Sequence, residues 1–325
     1  MIVLSVTEGV LSISESREFP HVAREPPGFL IPNVPAHSRV GPVESDGFPM
    51  GAPGTLRVPW ETSLPKLENQ GGYVVVSAIE SELAALPPEL LARPGSIFYS
   101  GRAAFSIPSR LYVLGLNPGG SPVLEPTPIR KDLAWWTEGP EHFSRYIDER
   151  WDAGRAPAGT SGMQPRVRHM FTCLGLDPRQ VPASNVAFVR SPGEADLAAE
   201  KSALIAQCWP VHLAVIETLG VDTVLCFGKT AGLWVREALG AHSLIDDFVE
   251  LNNRRWTSTV DSAADGRVVV TTTHPSRVDW SNPAADPTPL VRRALERIGG
   301  WPRAGLTLTR GSPAGPCSDA VHPDA

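Results

Sequence analysis

The chain alternates short apolar segments with segments of helical periodicity, and this alternation restricts the fold more than any other feature. Four segments have the near-continuous apolar runs typical of strands: 110–116, 183–191, 221–228 and 267–275. Such strands are buried on both faces, as in a parallel sheet that helices cover on two sides. The sequence therefore predicts an α/β fold, a three-layer α/β/α sandwich with a central, mainly parallel sheet.

The segments between these strands complete the expected order of elements. Apolar residues at helical spacing predict helices over 164–176, 197–219, 229–240 and 288–300. The Val-rich segment 72–79 is predicted to be a further strand, and a broken helix is expected over 80–93.

The two ends of the chain differ in composition from its centre. Residues 1–70 are rich in Pro and Gly and predict an N-terminal extension, whereas 71–305 should form one folded domain. Residues 306–325 predict a disordered C-terminal tail. No apolar run reaches the roughly 18 residues of a membrane span, and the N-terminus lacks the basic region of a signal peptide. A cytoplasmic protein is expected.

The charge and the cysteines limit the classes of partner and cofactor. The net charge is -6, which does not favour nucleic-acid binding by the chain as a whole. Local clusters of arginine can still act within a Debye length of about 10 Å. The four cysteines are scattered and form no C-x-x-C pair, so we expect reduced thiols rather than a disulfide framework or a zinc finger.

Three of the predicted strands end in unusual polar residues. Asn117-Pro118-Gly119 follows the first strand, Asn185 lies in the second, and His274-Pro275-Ser276 follows the last. Ligands of parallel α/β sheets bind beyond the carboxyl ends of the strands. These residues are therefore expected to meet at one site.

The motifs at these strand ends resemble those of a known family. GLNPG (115–119) and HPS (274–276) resemble the two active-site motifs of the uracil-DNA glycosylase superfamily. GLNPG is most similar to the mismatch-specific and single-strand-selective branches, in which Asn replaces the Asp of the commonest branch. SNVAFVRS (184–191) resembles the middle strand of the family, and VLCFGKTA (224–231) resembles its later strand-Gly-helix unit. Order and spacing match over about residues 100–300.

The resemblance implies a uracil-DNA glycosylase-like catalytic domain, a DNA partner with a flipped-out pyrimidine nucleotide, and a monomer without metal or cofactor. It implies two catalytic residues, Asn117 and His274. The base-binding residues would be Gly115, Leu116, Pro118, Gly119 and Asn185. The residues on the DNA backbone would be Gly120, Ser276 and Arg277, and the local cluster of arginines adds Arg166 and Arg168 as candidates.

The chemistry of these side chains fits the implied reaction. Breaking an N-glycosidic bond leaves negative charge on the departing pyrimidine, and a donor aimed at that charge lowers the barrier. His274 is the candidate donor. The sugar cation is a strong electrophile, so Asn117 needs only to position water and cannot act as a titrating base. The alternatives are a structural His and a turn Asn.

The sequence departs from the family at two places. Gly119 stands where the uracil-strict branch has a Tyr that blocks the pyrimidine 5-position, so a larger base is admissible. Arg277 stands where a wedge side chain enters the helix, which leaves intercalation open. A stacking aromatic is expected after the first motif, and the candidates are Trp135, Trp136 and Phe143.

The sequence predicts a monofunctional DNA glycosylase that removes uracil or a 5-modified pyrimidine, including modified cytosine in foreign DNA. No Lys lies in the motifs to form a Schiff base, so lyase chemistry is not expected. One alternative is an inactive nucleic-acid-binding module of the same fold. Another is a hydrolase of free nucleosides or nucleotides, which the acidic net charge would suit.

Overall fold

A computed structural model describes residues 3–7, 10–14, 71–151 and 154–297. The chain divides into two compact units, Met1–Ser63 and Leu64–Ala325. In the first unit, strands β1 (Val3–Thr7) and β2 (Val10–Ser14) form an antiparallel pair that the sequence analysis did not predict. The predictions for the rest of the extension and for the C-terminal tail lie outside the described residues.

The second unit contains a six-stranded sheet whose central part is parallel. Its strands are β3 (Leu111–Gly115), β4 (Ala183–Asn185), β5 (Thr223–Phe227), β6 (Ser243–Val249), β7 (Thr257–Ser262) and β8 (Val268–Thr272). They are ordered β4-β3-β5-β8-β7-β6. The first four are parallel to one another, and β7 and β6 continue the sheet as an antiparallel hairpin. The predicted α/β fold with a mainly parallel sheet is confirmed.

Seven α-helices connect and flank the strands in the described residues. They are α1 (Gly71–Ala84), α2 (Pro88–Leu91), α3 (Ile129–Glu138), α4 (Gln164–Leu174), α5 (Lys201–Leu219), α6 (Lys229–Leu239) and α7 (Thr288–Arg297). Short 3₁₀ helices lie at Arg102–Phe105 and Glu194–Leu197. The predicted helices in the regions of α4, α5, α6 and α7 are confirmed.

Two hydrophobic clusters explain why the central strands have no polar alternation. In β3, Tyr112 and Leu114 belong to a cluster with side chains of α1, α5 and α6. Leu111 and Val113, which point the opposite way along the strand, belong to a second cluster with side chains of α4 and α7. Every residue of β3 is buried as a result.

The structure corrects two parts of the predicted element order. The predicted strand 72–79 is wrong, because this segment lies within α1. Its three consecutive valines favour a strand locally, but Ile79 and Leu83 have helical spacing and pack into the core. The hairpin of β6 and β7 was not predicted, since every residue of β6 is partly or fully exposed and its apolar pattern is weak.

The cysteines and the most apolar helix also bear on the predictions. Cys208 and Cys226 are buried free thiols, whereas Cys173 is disulfide-bonded, so the expectation of reduced thiols is wrong for Cys173. Helix α5 is the one described helix long and apolar enough to cross a membrane by length and composition. One face of this helix, which includes Leu204 and Val215, lies in the hydrophobic core.

Candidate active site

Three parallel strands end at one edge of the sheet, and two of the predicted motifs follow them at the same height. Leu114, Cys226 and Thr271 are aligned across β3, β5 and β8. Asn117 and His274 each lie three residues beyond this row. Neighbouring strands are about 4.8 Å apart, so β3 and β8 are separated by about 10 Å. The loops that carry Asn117 and His274 therefore lie on either side of the end of β5.

The loop after β3 is paired with the segment that follows β4. The backbone N–H groups of Val186 and Ala187 donate to the carbonyls of Gly115 and Leu116, each at 2.9 Å. This backbone pairing continues beyond β4, but the strand itself ends at Asn185, so the predicted strand over 183–191 is correct only for its first three residues. The segment fixes the path of the loop from Gly115 onwards.

Hydrogen bonds to the same segment orient the amide of Asn117. Its Nδ2 donates to the carbonyl of Pro118 at 2.8 Å and to Oγ of Ser191 at 3.0 Å. The Ser191 hydroxyl donates its own proton to the carbonyl of Gly193 at 2.8 Å, which leaves its oxygen to accept. The N–H groups of Asn117 thus face the protein, and its Oδ1 is the atom left to accept a proton from a ligand or a water molecule.

The two glycines after Pro118 differ in what they permit. Gly119 is exposed, its φ is outside the left-handed region, and a Cβ built on it would meet no atom within 4 Å. Gly120 has a φ of 97°, which favours glycine. Arg190 donates to the carbonyl of Gly119 and forms an ion pair with Glu125 at 2.8 Å. The side chain of Arg190 therefore helps to fix the loop, and the space that a side chain at position 119 would occupy is open.

His274 is held in one tautomer by Ser276, two residues further along the chain. The backbone N–H of Ser276 donates to Nδ1 of His274 at 3.1 Å, and the Ser276 hydroxyl lies 2.8 Å from the same atom. A backbone N–H can only donate, so Nδ1 must be unprotonated. Neutral His274 consequently carries its proton on Nε2 and is a hydrogen-bond donor there. The Ser276 hydroxyl, predicted to contact phosphate, contacts His274.

The surroundings of His274 also keep it neutral. Burial, together with the positive charge of Arg277, lowers the pKa of His274 to about 4. A Cβ built on Gly228 would lie 3.4 Å from Cδ2 of the ring, so the backbone at the start of α6 packs against the imidazole. The positive end of that helix dipole disfavours imidazolium as well.

Asn185 lies beside Gly115 with an unpaired donor. The two residues are register partners, and a Cβ on Gly115 would approach Oδ1 of Asn185 to 2.2 Å, so the site requires glycine. Asn185 is 6% exposed, and its Nδ2 makes no hydrogen bond to any described residue. A buried unpaired donor costs about 1–3 kcal/mol. An acceptor on a bound ligand would remove that cost.

The predicted stacking aromatics lie in different surroundings. Trp136 is buried in the core and donates through Nε1 to the carbonyl of Ser100 at 3.1 Å. Trp135 is 41% exposed and contacts Phe143 edge-on, with ring centres 4.9 Å apart. None of the described contacts joins these rings to Asn117, Asn185 or His274.

A different aromatic side chain, Tyr99, neighbours the side chain of Asn185. Burial raises the pKa of the Tyr99 phenol, and the neighbouring Arg145 and Asn185 side chains lower it in part. Tyr99 also packs on Tyr146 and Trp151, with ring centres 5.4 and 6.5 Å away. Tyr99 precedes the first motif in the sequence, so the search for an aromatic residue after that motif missed it.

The arginines predicted to contact DNA separate into two groups. Arg166 donates to the carbonyl of Pro275 at 2.5 Å and so supports the His274 loop. Arg168 instead donates to the carbonyl of Gly159 at 3.0 Å. Arg166 and Arg277 line an open cavity of about 470 Å³ together with Asn252, Asn253, Arg254 and Asp279.

Among the described residues, no group of three or more His, Cys, Asp or Glu side chains is arranged to hold a metal ion. The site offers a neutral imidazole donor in His274, the amide oxygen of Asn117 as an acceptor and the buried amide donor of Asn185. Sequence reasoning missed the supporting residues Ser191, Gly228 and Arg190. The SNVAFVRS and VLCFGKTA segments contain them, but only the fold shows what they touch.

A comparison of the chain with models of protein families and with curated proteins found no match.

Proposed function

We propose that this protein is a monofunctional DNA glycosylase that hydrolyses the N-glycosidic bond of uracil or of a 5-modified pyrimidine and leaves an abasic site. The proposal includes a three-layer α/β/α sandwich, a DNA partner, action as a cytoplasmic monomer, and no metal or cofactor. The two hydrophobic clusters on alternate residues of β3 support the three layers.

The observation that carries the proposal is the fixed tautomer of His274. The backbone N–H of Ser276 donates to Nδ1, so the proton of the neutral ring is on Nε2. A pKa of about 4 keeps the ring neutral at physiological pH. A neutral imidazole that carries its proton on Nε2 can donate a hydrogen bond to a pyrimidine carbonyl. As the glycosidic bond breaks, negative charge grows on that oxygen, and a preorganised donor stabilises the transition state more than the ground state.

Asn117 is proposed to orient the attacking water. Its N–H groups are bonded to Pro118 and Ser191, so the water would donate to Oδ1. The amide cannot remove a proton at any accessible pH, and the electrophilic sugar cation does not require it to. Asn117 therefore acts by orienting the water. Losing this orientation typically lowers the rate by a large factor, because the reacting atoms must be aligned.

Asn185 and Gly119 are proposed to select the base. The unpaired Nδ2 of Asn185 would donate to an acceptor on the Watson–Crick edge of a flipped-out pyrimidine. Gly119 has open space at its Cβ position, so no side chain blocks a 5-substituent there. Tyr99, adjoining Asn185, is the proposed stacking ring.

The test is a panel of oligonucleotides that contain uracil, mismatched thymine or 5-modified pyrimidines, incubated with the protein in EDTA. Alkali cleavage then reveals abasic sites. We expect product from at least one pyrimidine in DNA, and none from free deoxyuridine. Activity only with an added divalent ion, or only on the free nucleoside, would contradict the proposal.

The variant Gly119→Tyr tests base selection. Its backbone angle and open surroundings allow a side chain, so the variant should fold with an unchanged melting temperature. We expect it to lose activity on 5-substituted bases and keep any activity on uracil, since crowding a site typically costs about 1–3 kcal/mol. A wild type that rejects every 5-substituted base would overturn the open-pocket part of the proposal.

A further inference from the structure

The loop between β6 and β7, Leu251–Trp256, lies next to the His274 motif, and none of the motifs that carry the family resemblance includes it. Asn252, Asn253 and Arg254 of this loop line the same cavity as Arg277. Arg254 also donates through Nη1 to the carbonyl of Arg277 at 2.8 Å. The loop therefore forms one wall of the opening beside the candidate catalytic histidine.

The conformation of this loop is fixed before any ligand binds. Oδ1 of Asn252 accepts from the backbone N–H of Arg254 at 2.9 Å, and its Nδ2 donates to the buried Glu250 carboxylate at 2.7 Å. Arg255 follows with a φ of 50°, and the N–H of Glu250 donates to the carbonyl of Trp256 at 2.8 Å. Little conformational entropy would therefore be lost when a ligand binds to this loop.

The charge of this wall is largely uncompensated. Arg254 and Arg277 form no ion pair with any described carboxylate, and Arg166 lies 3.9 Å from Asp279. Three arginines and one aspartate give the cavity lining a net charge of +2 on a chain whose net charge is -6. Such a local excess is the electrostatic signature of an anion-binding surface.

An aromatic ring continues the surface beyond the cavity. The Arg254 guanidinium stacks over the Trp256 ring at 4.9 Å from its centre, and Trp256 is 37% exposed. The stacking and the bond to Arg277 hold the guanidinium in place but use only one of its five N–H donors. Basic side chains interleaved with an exposed aromatic fit a nucleic-acid strand better than an isolated small anion.

We propose that the Leu251–Trp256 loop is a second DNA-binding element, which binds the phosphodiester backbone of the strand whose nucleotide enters the candidate active site. Arg254 contacts a phosphate, and Trp256 holds its guanidinium and contacts the adjacent nucleotide. The assignment of DNA as the strand rests on the proposed function.

The test is fluorescence anisotropy of the full-length protein with a labelled oligonucleotide, measured over a series of salt concentrations. We expect Arg254→Ala to weaken binding by roughly tenfold at low salt and to reduce the slope of log K against log salt by about 1. Trp256→Ala should weaken binding by a smaller factor. The matched control is Arg267→Ala, because Arg267 pairs with Asp265 in the turn at the opposite end of β8.

Several outcomes separate this proposal from the glycosylase proposal. If wild type excises a base and Arg254→Ala leaves both the affinity and the salt slope unchanged, the loop assignment is wrong and the glycosylase stands. If no base is excised but Arg254→Ala still weakens binding, the glycosylase is wrong and the loop assignment stands. Arg254-dependent binding of a free mononucleotide as tight as that of the oligonucleotide would overturn the assignment to a strand.

Discussion

The two loops that carry the candidate catalytic residues are supported in opposite ways. Asn117 is oriented by the carbonyl of the adjacent Pro118 and by Ser191, which is distant in sequence and lies in the segment after β4. His274 is oriented by Ser276, two residues away in its own loop. The tautomer of the histidine is therefore set within its own motif, whereas the orientation of the asparagine depends in part on the tertiary fold. Changes in each side chain and its support test this difference.

The largest effect is expected from His274→Ala. It removes the donor that meets the growing negative charge, so the single-turnover rate should fall by about 10²–10³-fold. DNA affinity should change little, because the donor acts mainly in the transition state. Rapid-quench kinetics and anisotropy measure the two quantities. Near-normal turnover by a folded variant would show that His274 has a structural role and not a catalytic one.

Asn117→Ala should give the next largest loss. The variant cannot orient water, and misplacement of reacting groups costs up to about 10²-fold. Asn117→Asp is the informative comparison, since a carboxylate can accept a proton and should equal or exceed the wild-type rate. The same single-turnover assay applies. An Asn117→Ala enzyme as fast as wild type would show that water is positioned elsewhere.

The pair Ser191→Ala and Ser276→Ala compares the distant and the local support directly. Ser191→Ala removes the side-chain acceptor for the Asn117 amide, and one hydrogen bond of about 0.5–1.5 kcal/mol corresponds to a rate loss of roughly two- to tenfold. Ser276→Ala keeps the backbone N–H that fixes the His274 tautomer, so its loss should be smaller. A larger loss for Ser276→Ala would reverse the comparison.

The smallest expected effect is that of pH on the wild-type rate. His274 with a pKa of about 4 stays neutral at higher pH, and Asn117 does not titrate. The rate should therefore be flat from about pH 8 to pH 5 and fall as the pH drops through about 4. A descending limb near the usual His pKa of about 6.5 would show that His274 is not held neutral.

The same pKa predicts that the free energy of unfolding depends on pH, and His274→Ala should abolish this dependence. Its pKa is lower in the folded state, so below about pH 6.5 the unfolded chain binds a proton that the native protein does not. The contribution of neutral His274 is thus present above pH 6.5 and decreases until the pH reaches about 4. Thermal melts of wild type and variant across this range measure the difference.

The sequence determined the parallel core and the residues at its edge, because both depend on local pattern. Continuous apolar runs indicated strands buried on two faces, and polar residues at their ends marked one edge of the sheet. The motifs alone predicted Asn117, Asn185 and His274 as candidate site residues. Even the tautomer of His274 depends on a residue two positions away.

The tertiary structure decided what lies far apart in sequence. The segment 72–79 is helical although its valines favour a strand, because packing of Ile79 and Leu83 outweighs local propensity. Tyr99 reaches Asn185, and Arg254 reaches Arg277, only once the sheet has formed. These contacts depend on strand order and register, which bring together side chains that no local sequence pattern connects.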